Sequence, residues 1–302
     1  MAGGRVNLAV ALLLALHGLL PPSAHAALQD GFYGASTNCT VDVEAVVRGV
    51  VERHVSRLGD GGSGAGLIRL HFHDCFVKGC DGSVLIDPSP VNPDPEKASP
   101  ANGGLRGIDV VEEAKRQLEA LCPGTVSCAD ILAFAARDAA NVLSSGAISY
   151  DVPSGRRDGL TSDAADASQS LPPPFAQLGD LVRAFASKGF GIDELTMDPS
   201  YGADMRSRCP EDAGAGEWVA QDQATPGDLD GRYFENVLAG RVPFSSDRAL
   251  IDDGETRRMV EDNSGDQGEW AARFAAAMRK MSELAGTGEG EIREFCHVTN
   301  RG

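Results

Sequence analysis

A histidine and an arginine that are spaced for joint acid–base chemistry lie within Leu67–Phe76. Arg69 and His73 are four residues apart, so a helix places both side chains on one face. An imidazole there can take a proton from one oxygen of a peroxide and return it to the other, which is general acid–base catalysis. The guanidinium can stabilise the negative charge that develops as the bond breaks. The spacing therefore indicates a peroxide-cleaving pair, with Phe72 as a wall of its pocket.

Two other interpretations of the same stretch compete with this one. A single histidine on a half-apolar helix is more often structural than catalytic. The run His71, His73 and Cys75, together with Cys80, could instead bind zinc. Zinc is disfavoured because residues two apart on a helix face different ways. It is also excluded if the two cysteines form a disulfide in an oxidising compartment.

Oxygen donors follow directly after the histidines. Asp74, Asp81 and Ser83 offer side-chain oxygens, and nearby glycines allow the carbonyls of Val77 and Gly79 to turn inward. Hard oxygen ligands in a tight loop suit calcium, although the spacing is not that of an EF-hand. From spacing alone, a solvated acidic turn stays open as the alternative.

The elements that must position these groups are helices. Ser127 has the character of an N-cap, and the run Cys122-Pro123-Gly124 ends the helix before it. Strand-like alternation is scarce, and Pro88–Asn102 and Ser149–Leu178 have the composition of loops. The sequence thus predicts an all-α fold whose long loops are held by disulfides and ions. Apolar residues recur at helical spacing in Asp42–Arg57, Leu67–Phe76, Ile108–Leu121, Ala129–Leu143, Leu178–Lys188 and Glu269–Leu284.

The N-terminus is typical of a secretory signal peptide. Arg5 precedes a short apolar run, Leu8–Leu20, and small residues follow up to Ala26. We therefore expect residues 1–26 to be removed and residues 27–302 to form one secreted domain.

Charge and hydropathy restrict the partners. The formal net charge of -17 opposes binding to the phosphate backbone of a nucleic acid. No later stretch is long and apolar enough to span a bilayer. We expect neither a nucleic acid nor a membrane as a partner.

The number of cysteines is odd. Secretion favours disulfides, yet seven cysteines must leave one thiol without an intramolecular partner. They are Cys39, Cys75, Cys80, Cys122, Cys128, Cys209 and Cys296.

Four stretches together resemble the secreted plant peroxidases, the haem enzymes of class III. They are Arg69–Ser83, Cys122–Leu132, Val152–Gly159 and Gly290–Cys296. The resemblance covers nearly all of residues 28–300. It implies a haem-peroxidase fold, with distal and proximal helical halves around a cleft for haem b. It also implies a monomer in the apoplast or cell wall that uses hydrogen peroxide to oxidise small phenolic donors. Hydrogen peroxide breakdown, the response to oxidative stress and cell-wall phenolic chemistry are the roles that follow.

The resemblance assigns roles to single residues of the distal half. His73 is the acid–base residue, Arg69 stabilises the transition state, and Asn102 hydrogen-bonds His73. Pro153 lines the exposed haem edge where donors dock. For the neighbouring Arg156, Arg157 and Asp158, the preferred interpretation is a turn pinned by Arg–Asp pairs.

Calcium ligands and disulfides also follow from the resemblance. The distal calcium is bound by Asp74, Val77, Gly79, Asp81 and Ser83, with Glu96 acting through water. The implied disulfides are Cys39–Cys122, Cys75–Cys80 and Cys128–Cys296, which leave Cys209 unpaired.

The resemblance is interrupted at one point. In the family, a segment that contains Ser-Gly-Ala-His-Thr, the source of the proximal iron ligand, follows the Leu178–Lys188 helix. Here Thr196 is followed directly by Met197, and none of the six histidines lies between Cys75 and Cys296. A missing stretch of roughly thirty or more residues, a helix with its loop, accounts for this. It also accounts for Cys209, whose partner the missing segment would hold.

Other residues of the proximal half are present. Asp247 matches the aspartate that accepts a hydrogen bond from the proximal histidine, a contact that tunes such ligands. A second calcium site also needs a threonine from the missing segment. Its remaining ligands are Asp222, Thr225, the carbonyl of Asp228, and Asp230.

Two hypotheses result. The chain is a haem peroxidase by descent, or it is a catalytically inactive, calcium-binding secreted protein that lacks the axial haem ligand. Haem absorbance and the turnover of a phenol by peroxide distinguish the two.

Overall fold

The computed structural model describes residues 27–35, 37, 39–55, 62–191, 225–242, 244–286 and 288–301. The expected signal peptide, the Thr196–Met197 junction, Cys209 and Asp222 lie outside the described residues. The helices are α1 (Phe32–Ala35), α2 (Val43–His54), α3 (Ser63–Lys78), α4 (Ile108–Leu121), α5 (Cys128–Leu143), α6 (Ala164–Ser170), α7 (Leu178–Ser187), α8 (Arg232–Leu238), α9 (Ser245–Ala249), α10 (Gly254–Gly265) and α11 (Gln267–Ser282).

The described chain is mainly helical, which confirms the predicted all-α class. Single 3₁₀ turns cover Ser83–Leu85, Glu96–Ala98 and Pro100–Asn102. Two short strands, β1 (Asp158–Gly159) and β2 (Gly290–Glu291), pair antiparallel, with Asp158 opposite Glu291. No helix among the described residues is long and apolar enough to cross a bilayer.

Helix α5 lies at the centre of the core. The Ser127 hydroxyl accepts a hydrogen bond from the Asp130 amide at 3.1 Å, so the predicted N-cap is confirmed. Nearly every residue of α5 is buried, as expected of a helix surrounded by others. It packs against α2, α3 and α4, and its contact with α3 fixes the helix that carries Arg69 and His73.

The C-terminal helices form a second packed group. α8 packs on α10, and Trp270 of α11 lies 6.4 Å from Phe234 and 5.5 Å from Phe274 between ring centroids. α11 also reaches the first group, because His71 Nε2 of α3 lies 3.0 Å from the Ser282 hydroxyl.

The three disulfides pair as the resemblance implies: Cys39–Cys122, Cys75–Cys80 and Cys128–Cys296. The Cys75–Cys80 bond removes both thiols from metal binding, so the zinc alternative is excluded. One expectation about elements is wrong, because α6 interrupts the stretch 149–178 that was expected to be a loop. Asp163 caps this helix, accepting from the Ala165 amide at 2.8 Å.

Candidate active site

Helix α3 brings Arg69 and His73 together as the spacing predicted. Arg69 Nε donates to His73 Nε2 across 3.3 Å. The guanidinium also donates to the carbonyls of Ala101 and Gly103, in each case at 3.3 Å. These bonds hold the positive charge beside the imidazole.

Asn102 fixes the tautomer of His73. Its Nδ2 donates to the Glu96 carbonyl at 2.7 Å, so its Oδ1 faces the histidine. That oxygen lies 2.6 Å from His73 Nδ1. Because an amide oxygen only accepts, Nδ1 carries the proton and Nε2 keeps its lone pair. His73 therefore presents a basic nitrogen beside Arg69.

Burial lowers the pKa of His73 to about 4, and the positive charge of Arg69 acts in the same direction. The side chain is 8% exposed. A neutral imidazole is the form that can accept a proton at neutral pH. The pair is thus set to receive a proton at Nε2 while the guanidinium stabilises an adjacent anion.

Phe72 lies beside His73, and its role as a wall of the pocket stays a prediction. Its ring lies edge-on to His73, with 5.6 Å between ring centroids. It also stacks on Phe185 of α7 at 6.2 Å and contacts Phe76 at 4.7 Å. The aromatic contacts tie α7 to the face of α3 that carries the histidine.

The loop after α3 gathers carboxylates that were predicted to bind calcium. Asp81 Oδ1 accepts from the Ser83 amide at 3.0 Å, and the Ser83 hydroxyl donates to Glu96 Oε1 at 2.9 Å. Asp74 Oδ2 accepts from the Gly82 amide at 3.0 Å. Asp74, Ser83 and Glu96 are fully buried.

Two oxygens of this loop lack a hydrogen bond within the described part of the chain. They are Asp74 Oδ1 and Glu96 Oε2, and both are buried. Burial, reinforced by the charge of Asp81, raises the pKa of Asp74, and burial raises the pKa of Glu96 to about 7. Buried carboxylate oxygens without a donor suit a hard cation. The donor set therefore fits calcium.

The two predicted carbonyl ligands are constrained differently. Gly79 ends α3 with φ 90°, a conformation that favours glycine, and a Cβ there would overlap the Ala285 carbonyl. The Val77 carbonyl accepts a hydrogen bond from the Lys188 ammonium at 2.9 Å.

Pro153 is buried between Val152 and Ser154, and the Ser154 backbone pairs with Gln29. That Pro153 lines the haem edge where donors dock stays a prediction.

The turn that follows Pro153 is held by an ion pair and by backbone hydrogen bonds, in agreement with the interpretation preferred from the sequence. Arg156 Nη1 bonds the buried Asp130 carboxylate at 2.6 Å. Asp158 accepts from the amides of Ala129 and Arg293, both at 2.9 Å.

Asp247 is buried on the C-terminal side of the molecule. Its carboxylate accepts from the Tyr233 hydroxyl at 3.0 Å and from the Phe244 amide at 3.4 Å. Of the expected second calcium ligands, Asp228 donates its amide to the Thr225 carbonyl at 2.9 Å. Asp230 accepts from the Arg232 amide, also at 2.9 Å.

The other histidines that the structure describes are engaged away from Asp247. His54 pairs with Glu113 at 2.7 Å. His297 pairs with Glu112 at 2.9 Å, and His71 bonds Ser282 of α11. The sequence between Cys75 and Cys296 holds no histidine. The distal residues thus suit the peroxide side of a haem.

Sequence reasoning gave no role to Arg293. Its buried guanidinium donates to the carbonyls of Gly82 and Gly159, each at 2.7 Å. These bonds hold the loop after α3 against the C-terminal segment. The only sequence signal was its place in the stretch Gly290–Cys296, because a contact across 211 residues leaves no local pattern.

The chain is similar to known peroxidases over most of its length. The sequence model of one family, described as Peroxidase, matches residues 47–197 and 192–266. Peroxidase 2 of Zea mays is 40% identical over 323 positions, covering 97% of this chain and 95% of the relative. Peroxidase 5 of Vitis vinifera is 41% identical, covering 91% and 92%. The lignin-forming anionic peroxidase of Nicotiana sylvestris is 36% identical, covering 78% and 81%.

The alignments also contain unmatched positions. The alignment with the Zea mays protein has 323 positions, whereas 97% of 302 residues is about 293. About 30 positions of that alignment therefore have no residue in this chain. The two ranges of the family match meet at residues 192–197.

Proposed function

Because this chain belongs to the peroxidase family, we propose that its inherited reaction is the hydrogen-peroxide-dependent oxidation of small phenolic donors. Membership of this family gives the chain its enzyme class, which is haem peroxidase. The observation that carries the proposal is the His73–Asn102 bond at 2.6 Å. This bond leaves Nε2 as a base in a pocket that also holds a guanidinium.

The residues of this pocket move a proton and stabilise a charge. His73 Nε2 would take the proton from one peroxide oxygen and return it to the other, which would leave as water. A bound haem would accept the remaining oxygen atom and supply the two electrons that cleavage of the O–O bond consumes. Arg69 stabilises the negative charge on the departing oxygen. Asn102 holds Nδ1–H, so the basic nitrogen stays on the pocket side throughout.

The absence of an axial histidine favours a second function for this chain. The proposed junction at Thr196–Met197 lies where the two ranges of the family match meet, and about 30 unmatched alignment positions agree with a lost helix and loop. A chain that has lost this segment is a catalytically inactive, calcium-binding relative of the enzymes. Haem b, the cofactor of the family, would then have no axial histidine ligand in this chain.

For calcium, we propose the distal ligand set already described: Asp74, Val77, Gly79, Asp81 and Ser83, with Glu96 acting through water. The unsatisfied Asp74 and Glu96 oxygens support this site. The second site, with Asp222, Thr225, Asp228 and Asp230, additionally requires a threonine from the lost segment.

The setting we propose is extracellular, in the apoplast or cell wall, with the protein acting as a monomer. Three disulfides and the signal-like residues 1–26 support secretion. The net charge of -17 favours uncharged phenols over anionic donors and opposes nucleic acids. Within this setting, hydrogen peroxide breakdown, the response to oxidative stress and cell-wall phenolic chemistry are the proposed roles.

The experiment is reconstitution of the secreted full chain with haem and calcium. Soret absorbance and peroxide-dependent oxidation of a phenol are measured for the natural chain, for His73→Leu, and for His297→Gln as a surface-histidine control. A Soret band with turnover that His73→Leu abolishes and His297→Gln preserves supports the enzyme. Calcium binding without a Soret band or turnover supports the inactive protein. Turnover that persists in His73→Leu contradicts the assigned role of this pocket.

A further inference from the structure

We propose that Lys188 is a positioning residue for the calcium loop, the stretch Val77–Ser83 that contains most of the proposed calcium ligands. Its ammonium donates to the Val77 carbonyl at 2.9 Å and thereby joins the end of α7 to the end of α3. The inference rests on the proposed calcium site, in which Val77 supplies a carbonyl ligand.

The backbone of Lys188 is fixed by the way α7 ends. Gly189 has φ 82°, and its amide donates to the Ala186 carbonyl at 3.0 Å. The Phe190 amide donates to the Phe185 carbonyl at 3.0 Å, and the two rings are in contact, with 6.2 Å between centroids. These two bonds and this contact define a Schellman motif, which fixes the backbone from which the Lys188 side chain extends.

The aromatic side chains bring this helix end against α3. The rings of Phe76 and Phe185 lie 4.9 Å apart between centroids. The Lys188 ammonium lies 5.9 Å from the centroid of the Phe76 ring, within reach of a cation–π attraction. The lysine is therefore held by its own helix end and by the aromatic surface of α3.

The Val77 carbonyl can accept the bond from Lys188 and still bind a cation, because its oxygen has two lone pairs. It belongs to the last turn of α3, where carbonyls lack a partner within the helix. Two of the next amides are used elsewhere, since Gly79 donates to the Cys75 carbonyl and Cys80 donates to the Leu284 carbonyl. A cation at this end also complements the helix dipole. Lys188 thus fixes the direction of a carbonyl just before the loop that carries Asp81 and Ser83.

The test compares Lys188→Met, Lys188→Arg and Lys280→Met. The Lys280 ammonium lies 4.9 Å from the Phe190 centroid, so its replacement removes a similar cation–aromatic contact without touching Val77. Calcium affinity is measured by calorimetry with calcium alone. Exchange of the amides in residues 74–82 is followed by hydrogen–deuterium mass spectrometry in the presence of a chelator.

We expect Lys188→Met to weaken calcium binding about tenfold, the size of one charged hydrogen bond, and to speed exchange in residues 74–82. Lys188→Arg should recover most of the affinity, and Lys280→Met should match the natural chain. Unchanged or tighter calcium binding by Lys188→Met overturns the proposal. If the natural chain binds no calcium, the proposed metal site fails. The exchange data then decide alone, since unaltered exchange in Lys188→Met would reject the positioning role.

Discussion

The pocket around His73 and the region around Asp247 differ in which partners this chain supplies to their buried polar groups. His73 is held by Arg69 and Asn102, and Asn102 is held by Glu96, all within a short stretch of sequence. Asp247 matches a residue that orients an iron ligand, yet it accepts hydrogen bonds from Tyr233 and the Phe244 amide.

The difference shows how a site can be half preserved. The proposed loss at Thr196–Met197 would remove a ligand without touching the distal network, because no member of that network would come from the lost stretch. Asp247, which we propose as the carboxylate that orients the ligand, would stay, because it lies on a separate segment. The two regions can therefore be tested independently.

Restoring the segment should give the largest effect. We expect that a family segment with Ser-Gly-Ala-His-Thr and its cysteine, inserted between Thr196 and Met197, creates a Soret band. Phenol turnover should rise by at least the roughly 10²–10⁴-fold that acid–base catalysis by His73 contributes. The control is the same insertion with its histidine replaced by alanine. Equal turnover by the unmodified chain would show that the proximal side is already complete.

Removing the disulfide that closes the longest loop among the three described disulfides should give the next largest effect. The Cys128–Cys296 bond closes a loop of 168 residues. Replacing both cysteines by serine should lower the free energy of unfolding by about 5 kcal/mol in the chain-entropy model. The Cys75–Cys80 bond closes a loop of only five, so the corresponding loss should be about 2 kcal/mol. Urea unfolding of the two double variants checks the ranking, and equal losses would contradict it.

The sequence predicted the distal region well because its signals are local. Helical spacing located α3, and the four-residue separation of Arg69 and His73 predicted their contact. Cys122-Pro123-Gly124 and Ser127 marked where α4 ends and α5 begins. Short-range rules suffice where the partners are neighbours in the chain.

The contacts that the sequence did not reveal come from distant segments. Lys188 reaches Val77 and Arg293 reaches Gly82 across 111 and 211 residues, and no periodicity reports such pairs. The pairing of Ser154 with Gln29 is another such contact between distant segments. The polar stretch around α6 concealed a short helix, since seven residues give too little periodicity to detect.

His71 is expected to make the stability of the protein depend on pH. It binds Ser282 of α11 from the helix that carries His73, and burial lowers its pKa to about 3, with the charge of Arg156 acting in the same direction. The unfolded chain, with a histidine pKa near 6.5, therefore binds more protons between these values. The stability due to neutral His71 is present above pH 6.5, declines below it and is lost near pH 3.

Replacing His71 with glutamine keeps a donor for Ser282 but removes the titration. At pH 5 the histidine should account for about 2 kcal/mol of the stability lost on acidification from pH 7. The unfolding free energy of His71→Gln, measured by urea at both pH values, should fall by that much less than in the natural chain. The surface variant His297→Gln is the control, because it leaves His71 and its contact with Ser282 unchanged. If the unfolding free energy changes equally with pH in all three proteins, His71 does not cause the loss of stability in acid.

Asp247→Asn should have the smallest effect. The amide oxygen of asparagine can still accept from the Tyr233 hydroxyl, whereas the longer bond from the Phe244 amide is lost. In the natural chain we therefore expect a loss of about 1 kcal/mol in unfolding free energy. In the chain with the restored segment, the same change removes a negative charge beside the new histidine ligand and should shift the Soret band and the iron reduction potential. A large stability loss in the natural chain would mean that the Asp247 charge supports the fold itself. The contrast with the distal pocket would then reflect a change of role for this carboxylate, and its presence would no longer be explained by descent alone.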